Sequence, residues 1–354
     1  MNHAAISPNS LRLQEQLNEF LMDARLGTVT ESRWIDRFEQ IRTAAAKLVG
    51  CDSDEIAFVN NTSTGAGLIA NGIHWQKGDN IIVPWNQFPA NVYPWLNLKA
   101  RGVNVRTIEL PRDETCVDYI MRHADKKTRL VALSYVEFAD GFRHEIKKIG
   151  ELCHQRNILM FVDAIQGLGA INFDFRDFNV DFMAVSGHKW LLGPFGAGLL
   201  TIRKDLLDAI YVSSRSWLSA ETPWAFYDYD QPMKTSAARF EGGTPNLMGF
   251  VGLGASIDMI LEIGIDEIER RILHLTDLLL NGLSEKNYFI ITNVNSPYRS
   301  GIVTFKHSEK NSTEIFEMLT RNKVIISERN GNLRVSPHFY NSEQEIFTLL
   351  DLLP

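Results

Sequence analysis

The chain has 354 residues, a formal net charge of −7, and a composition that is 45% hydrophobic and 22% charged, which is typical of a globular protein. The net charge is negative, so the composition shows no excess of basic residues that would indicate nucleic-acid binding. No apolar run reaches the roughly 18 residues that a membrane span needs. The first five residues lack the basic and apolar regions of a signal peptide. The three cysteines, Cys51, Cys116 and Cys153, are odd in number and far apart, which argues against a disulfide framework or a metal site. We therefore expect a cytoplasmic protein, and its length suggests two domains.

The first part of the chain alternates strand patterns with helical ones. Apolar residues recur at helical spacing over 10–26 and 32–49. Short apolar or alternating runs predict seven strands: 56–59, 80–83, 103–108, 129–134, 160–163, 182–185 and 198–202. Strands that alternate with helices form βαβ units, so the pattern predicts a mostly parallel seven-stranded sheet covered on both faces, an α/β fold.

A second pattern follows residue 245. Two long amphipathic helices are predicted over 246–263 and 266–283. Further strands are expected at 289–292, 301–305, 324–326 and 332–335, with helices at 312–321 and 342–353. This arrangement predicts a small C-terminal α+β domain over 246–354, after a large domain over 1–245. Between the predicted short helix at 204–210 and that boundary, the long irregular stretch 211–238 is rich in aromatic residues, and loops of this length are usually functional or lie at interfaces.

Residues that suit phosphate binding follow the first predicted strand. Thr62 and Ser63 precede Gly65 at the start of a predicted helix. Hydroxyl groups, free backbone N–H groups and the helix dipole together bind anions well. The same residues are also ordinary helix caps, so this pattern alone leaves both interpretations open.

An acid and a lysine end two of the predicted strands. Asp163 ends the run 160–163, and Lys189 follows the run 182–185 in a Ser-Gly-His-Lys turn. In open α/β sheets, ligands bind at the carboxyl ends of the strands. Pyridoxal phosphate (PLP) needs a lysine for its aldehyde and an acid for its pyridine nitrogen. A lysine held in a buried place has a lowered pKa, which favours the free amine that a Schiff base requires.

These two runs resemble a known family. Residues 162–166, Val-Asp-Ala-Ile-Gln, and residues 186–190, Ser-Gly-His-Lys-Trp, look like the class V aminotransferases. That family also holds cysteine desulfurases, selenocysteine lyases, kynureninases and isopenicillin N epimerase-like proteins, and the resemblance extends from Asn2 to the C-terminus. It implies fold type I, PLP as cofactor, and an amino acid as substrate.

The resemblance implies roles for further residues around the cofactor. Thr62 and Ser63 match the phosphate-binding loop, and Phe88 matches the flat side chain that stacks on the pyridine ring. Gln166 and Ser186 match residues that orient the ring and hold the phosphate. Lys189 is then the Schiff-base residue and the base for the substrate α-proton, Asp163 holds the ring nitrogen, and His188 assists. Core packing is the alternative role for Phe88.

The remaining implied roles concern the substrate and a second subunit. Arg334 matches the arginine that binds the substrate carboxylate, with a structural salt bridge as its alternative role. His3 belongs to an N-terminal segment, 1–20, that lies near the site, and either contacts substrate or is solvated. Thr244 matches the residue that reaches the PLP phosphate of the neighbouring subunit, which implies a homodimer with shared active sites. As an alternative or additional role, Thr244 would cap the helix that follows.

Two departures from the desulfurase branch bear on the reaction. Phe88 and Phe138 stand where desulfurases have a histidine and an asparagine, which looks more like the kynureninase and epimerase branch. The chain from Phe305 to Arg334 has no cysteine, although persulfide-forming desulfurases carry one before the carboxylate-binding arginine. We therefore predict an aminotransferase-like enzyme. The alternatives are a lyase for C–S or C–Se bonds that needs no cysteine, a kynureninase-like hydrolase, an epimerase, or a PLP-binding protein without turnover.

Overall fold

The computed structural model describes residues 1–28, 32–286 and 288–354. Its helices are α1 (Leu11–Leu26), α2 (Ser32–Val49), α3 (Thr62–Gly72), α4 (Tyr93–Leu96), α5 (Cys116–His123), α6 (Ile146–Gln155), α7 (Leu247–Ile263), α8 (Ile265–Ser284), α9 (Ser312–Arg321) and α10 (Glu343–Leu352). Its strands are β1 (Ile56–Val59), β2 (Asn80–Pro84), β3 (Asn104–Ile108), β4 (Thr128–Ser134), β5 (Leu159–Asp163), β6 (Phe182–Ser186), β7 (Gly198–Ile202), β8 (Tyr288–Ile290), β9 (Val303–His307), β10 (Ser327–Arg329) and β11 (Asn332–Val335).

A large sheet has the strand order β1-β7-β6-β5-β4-β2-β3. Strands β2 to β6 pair in parallel, whereas β7 is antiparallel to both β6 and β1. This confirms the predicted α/β fold with a mostly parallel seven-stranded sheet. The central strands β5 and β6 are apolar along nearly their whole length because helices cover both faces of the sheet.

One glycine lets helix α3 approach the large sheet. A Cβ atom at Gly65 would lie only 2.8 Å from the Cβ of Ala184 in β6. A larger residue would therefore push the helix away from the sheet. The close approach places the N-terminus of α3 beside the carboxyl end of β6, where Lys189 follows.

A second sheet lies in the C-terminal part and has the order β10-β11-β9-β8, with all pairs antiparallel. Its core is formed with α8, α9 and α10 by buried residues from Leu275 onward, which confirms the small α+β domain. The boundary at residue 245 stays a prediction. Helix α7 packs on α1 and α2 and adds Phe250 and Leu253 to the core of the large sheet, so we propose a boundary within α8.

Two predicted elements differ in the structure. The strand predicted at 324–326 is absent, and β10 starts at Ser327 because a two-residue turn sets its register with β11. Both turn residues have positive φ, 53° at Asn330 and 77° at Gly331, as the tightest hairpin turns require. The helix predicted at 204–210 is only a 3-10 turn over Lys204–Leu206.

Within the described ranges, no single helix is long and apolar enough to cross a membrane. Helices α7 and α8 reach the length and apolar composition of a membrane span only when they are taken together, and the chain bends by 84° between them.

Candidate active site

A cavity of about 290 Å³ lies at the carboxyl ends of β5 and β6 and is closed by the N-terminal segment and the β10–β11 hairpin. Eight of the predicted site residues line it: Thr62, Ser63, Phe88, Gln166, Ser186, His188, Lys189 and Arg334. The topology explains this grouping, since the carboxyl ends of parallel strands meet at one edge of a sheet.

Lys189 lies in the turn after β6 and is only 7% exposed. Burial lowers the pKa of its ammonium group to about 8, although the Asp163 carboxylate opposes the shift. Its Nζ lies 5.3 Å from the centre of the Phe88 ring. A buried lysine with a lowered pKa is suited to Schiff-base chemistry.

Asp163 is fully buried at the end of β5, just behind the cavity lining. Its Oδ1 accepts a hydrogen bond from the backbone N–H of Ile165 at 3.0 Å. Its Oδ2 has no hydrogen-bond partner among the described residues. Burial raises the pKa of this carboxyl to about 6. A buried oxygen without a partner is costly, and a protonated nitrogen of a bound molecule would satisfy it.

Two hydroxyl groups join the start of α3 to the end of β6. The backbone N–H of Thr62 donates to Ser186 Oγ at 2.9 Å, and the two hydroxyl oxygens are 3.0 Å apart. Asn61 caps the helix by accepting from the Thr64 N–H. Ser63 is exposed on the cavity at this N-terminus, where the helix dipole favours an anion such as a phosphate.

An aromatic wall is formed by Phe88 and Phe138, whose rings meet edge to face at 5.4 Å. The residues just before them are tied together, because Gln87 Nε2 donates to Glu137 Oε1 at 2.6 Å. The buried His144 ring lies 2.8 Å from the same carboxylate oxygen. Gln87, Glu137 and His144 were not predicted from the sequence, because only the fold brings these distant residues into one buried network.

Gln166 and His188 both line the cavity, and the side-chain amide of Gln166 is already hydrogen-bonded. Gln166 donates from Nε2 to the Ala4 carbonyl and accepts at Oε1 from the Trp190 indole N–H. It therefore holds the N-terminal segment against the site. His188 stacks on Phe195 at 4.7 Å. Burial lowers the pKa of His188 to about 4, so its ring is neutral at pH 7.

His3 and Thr244 lie outside the cavity. The alternative that His3 is solvated is wrong, because its ring is buried and its nitrogens lie 2.8 Å from the Ser336 carbonyl and 2.5 Å from the Tyr340 hydroxyl. Contact between His3 and substrate stays a prediction. Thr244 is exposed on this single chain. The predicted capping role belongs instead to Asn246, whose side chain accepts from the Gly249 N–H.

Arg334 is buried in the cavity wall and is 1% exposed. Its Nη1 donates to the Phe138 carbonyl at 2.6 Å, and its Nε has no partner among the described residues. The alternative of a structural salt bridge is therefore wrong for the part of the chain that the structure describes. A second arginine, Arg329, also lines the cavity and was not among the residues predicted from the sequence.

These residues fit PLP, the cofactor that the sequence predicts. The unpartnered Asp163 oxygen suits the pyridine nitrogen, Phe88 offers a flat apolar surface, and the α3 N-terminus suits the phosphate. Lys189 would supply the amine. Within the described ranges, no group of three or more His, Cys, Asp or Glu side chains is placed to hold a metal ion.

Comparisons with known proteins agree with this description. The sequence model of the family described as Aminotransferase class-V matches residues 7–348. A probable cysteine desulfurase of Methanothermobacter thermautotrophicus is 30% identical, with 100% of this chain and 93% of the relative covered. A probable cysteine desulfurase of Pyrococcus abyssi is 32% identical over 90% of this chain and 82% of the relative.

The solved structures include the apo cysteine desulfurase of Thermococcus onnurineus. It superposes with a TM-score of 0.89 at 26% identity and covers 99% of this chain and 92% of that protein. This similarity confirms fold type I. The chain therefore belongs to the class-V aminotransferase family and is a PLP-dependent enzyme, a transferase or a lyase.

Proposed function

We propose that the protein is a PLP-dependent lyase that cleaves the C–S bond of a cysteine derivative without using a cysteine of its own. The relatives with at least 30% identity given above are probable cysteine desulfurases, which favours this alternative over the transamination first expected from the sequence. The observation that carries the proposal is the position of the three cysteines relative to the cavity.

None of the three cysteines lines the cavity. Cys116 and Cys153 are buried in the core of the large sheet, and Cys51 is half-buried beside it. Burial raises the pKa of Cys153 to about 12 and that of Cys51 further still. A thiol that stays protonated and out of reach cannot accept sulfur from a substrate, since the thiolate is the nucleophile.

The chemistry that PLP supplies when bound is electron withdrawal from the substrate Cα. Asp163 would hold the protonated pyridine nitrogen, and Thr62 and Ser63 would hold the phosphate. Arg334 binds the substrate carboxylate through its planar fork. With a pKa of about 8, Lys189 has an appreciable neutral fraction at pH 7 to 8, so its Nζ can take the α-proton.

The reaction then eliminates the sulfur substituent. The Cβ–S bond breaks, the sulfur leaves with the bonding electrons and is protonated, and the three-carbon remainder is hydrolysed. One cysteine derivative and one water yield one thiol, one pyruvate and one ammonium ion.

We also propose that the enzyme is a homodimer in the cytoplasm, in which Thr244 reaches the phosphate bound by the partner. Its exposure on the single chain, outside the cavity, is consistent with this role.

The test is product analysis of the PLP-loaded protein with L-cysteine and S-methyl-L-cysteine. We expect thiol or sulfide and pyruvate in equal amounts, with no product from Lys189→Ala. Activity should persist in the single variants Cys51→Ala, Cys116→Ala and Cys153→Ala. Alanine together with a protein-bound persulfide would overturn the proposal in favour of a desulfurase. Consumption of a keto acid without release of sulfur would instead establish a transaminase.

A further inference from the structure

Two arginines share one face of the β10–β11 hairpin. Ser327 pairs with Arg334 and Arg329 pairs with Asn332 across the two strands. Directly paired residues and residues two apart in a strand lie on the same face of a sheet. Arg329 and Arg334 are therefore diagonal neighbours, at about 7–8 Å by the usual geometry of an antiparallel pair. The intervening Leu333 faces the other way, into the core of the small domain.

Both guanidinium groups line the same cavity as Lys189. Neither is ion-paired in the part of the chain that the structure describes. Arg334 donates to the carbonyl of Phe138, and the Arg329 guanidinium makes a long contact of 3.4 Å with the carbonyl of Glu328. The cavity thus presents three cationic groups, and the buried acid Asp163 lies behind it next to Lys189.

Burial and the neighbouring positive charges lower the pKa values of Arg334 and Lys189. Burial lowers the pKa of Arg334 to about 10, and the positive charge of Arg329 adds to that shift. The same two arginine charges contribute to the lowered pKa of Lys189. A second anionic group on a bound molecule would relieve this repulsion.

Under the proposed lyase function, on which this inference rests, the substrate α-carboxylate occupies Arg334. Arg329 then remains without an anion on the same face, nearer the exposed tip of the hairpin. Arginine is the side chain best matched to carboxylates, which it binds through two parallel hydrogen bonds. The sulfur substituent of the substrate is the part of the molecule that extends away from the α-carboxylate.

We propose that Arg329 is a specificity residue that binds a second carboxylate, and that the preferred substrates are S-substituted L-cysteines whose sulfur substituent ends in a carboxylate. The reaction keeps the balance given above, and the acidic substituent leaves as its free thiol.

The experiment compares two substrates of nearly equal size that differ in charge, S-carboxymethyl-L-cysteine and S-carbamoylmethyl-L-cysteine. In the native enzyme we expect kcat/KM to be at least about tenfold higher for the carboxylate, because hydrogen bonds to charged groups contribute about 1.5–3 kcal/mol. In Arg329→Gln the kcat/KM values for the two substrates should become similar, mainly because KM for the carboxylate substrate rises. Arg321→Gln, an exposed arginine on α9, should leave the preference unchanged.

A binding measurement separates this proposal from the proposed function. Calorimetric titration of PLP-loaded Lys189→Ala with each compound measures affinity without turnover. Lys189→Ala should bind the carboxylate compound more tightly than the amide, and this preference should disappear in Lys189→Ala/Arg329→Gln. That result would support the role of Arg329 even if no C–S bond is cleaved. Equal affinities in both backgrounds would overturn it. Equal losses for the two compounds would also overturn it, because they would mean that Arg329 helps Arg334 to bind the α-carboxylate.

Discussion

The Nζ of Lys189 lies 5.3 Å from the centre of the Phe88 ring, and both groups face the same cavity. The Phe138 ring packs edge to face against the Phe88 ring. The proposed Schiff-base residue and the proposed wall for the pyridine ring are therefore positioned together, although they are 101 positions apart in the sequence.

The first prediction concerns this wall. Phe88→Leu should weaken PLP binding about 2- to 10-fold, because ring stacking contributes about 0.5–1.5 kcal/mol beyond the buried area. Phe88→His should keep most of the affinity, since imidazole is also flat. Titration of the PLP-free protein with PLP measures the effect. Phe289→Leu, on the exposed face of β8, is the control, and an equal loss there would show that the effect is not local.

Asp163 provides a second prediction. Asp163→Asn should keep the shape of the site but lower kcat about 100-fold or more, the scale of a positioned proton-holding group. The reason is that an amide has no negative charge with which to keep the pyridine nitrogen protonated. Steady-state rates together with the bound PLP content measure the effect. An active Asp163→Asn variant with full PLP content would refute the role of this residue.

The proposed binding of the substrate carboxylate by Arg334 gives a third prediction. Arg334→Gln should raise KM for the amino acid about 10- to 100-fold, since hydrogen bonds to charged groups contribute about 1.5–3 kcal/mol. PLP binding should not change, because Arg334 contacts the Phe138 carbonyl rather than the α3 N-terminus. The matched control is again Arg321→Gln. A variant that loses PLP but not substrate affinity would contradict this assignment.

The buried His144, which lies behind the wall formed by Phe88 and Phe138, gives a prediction for the pH dependence of stability. Burial opposes the charge on His144, but hydrogen bonds with Cys116 and Glu137 and the Glu137 charge outweigh it and raise the pKa of His144 to about 9. Since this value lies above that of an unfolded histidine, near 6.5, the stabilisation is complete below pH 6.5 and is lost as the pH rises through 9.

The free energy of unfolding should therefore fall by up to a few kcal/mol between pH 6.5 and 9.5, and this fall should be reduced in His144→Gln. Urea unfolding of the PLP-free protein at several pH values measures it. His74→Gln, at an exposed histidine, is the control and should keep the native pH dependence. The assignment fails if His144→Gln shows the same fall.

The sequence predicted the large sheet well because most of its strands carry dense apolar runs that are buried on both faces. It also located Asp163 and Lys189, since each follows such a run at the edge where ligands bind. It did not predict where β10 begins, because the register of that hairpin depends on the turn at Asn330 and Gly331 rather than on hydrophobic pattern.

Side-chain partners were harder to predict than strand positions. His3 was expected either to contact substrate or to be solvated, and the sequence did not predict that the fold buries it against Ser336 and Tyr340, which are more than 330 residues away in the sequence. Arg329 was missed because its relation to Arg334 follows from hairpin register, and a one-residue shift would place it on the opposite face.

The last prediction tests the shared active site. If Thr244 acts on the partner's phosphate, a Thr244→Asp homodimer should lose most activity through repulsion between the two anions. Lys189→Ala homodimers should be inactive as well. In mixed dimers, however, one site combines an intact Lys189 with an intact Thr244 from the other subunit. Activity should therefore reappear when the two variants are co-expressed, at up to half the native value per mixed dimer. If Thr244 acted within its own chain, every site would carry one defect, and the mixture would stay as inactive as its parents.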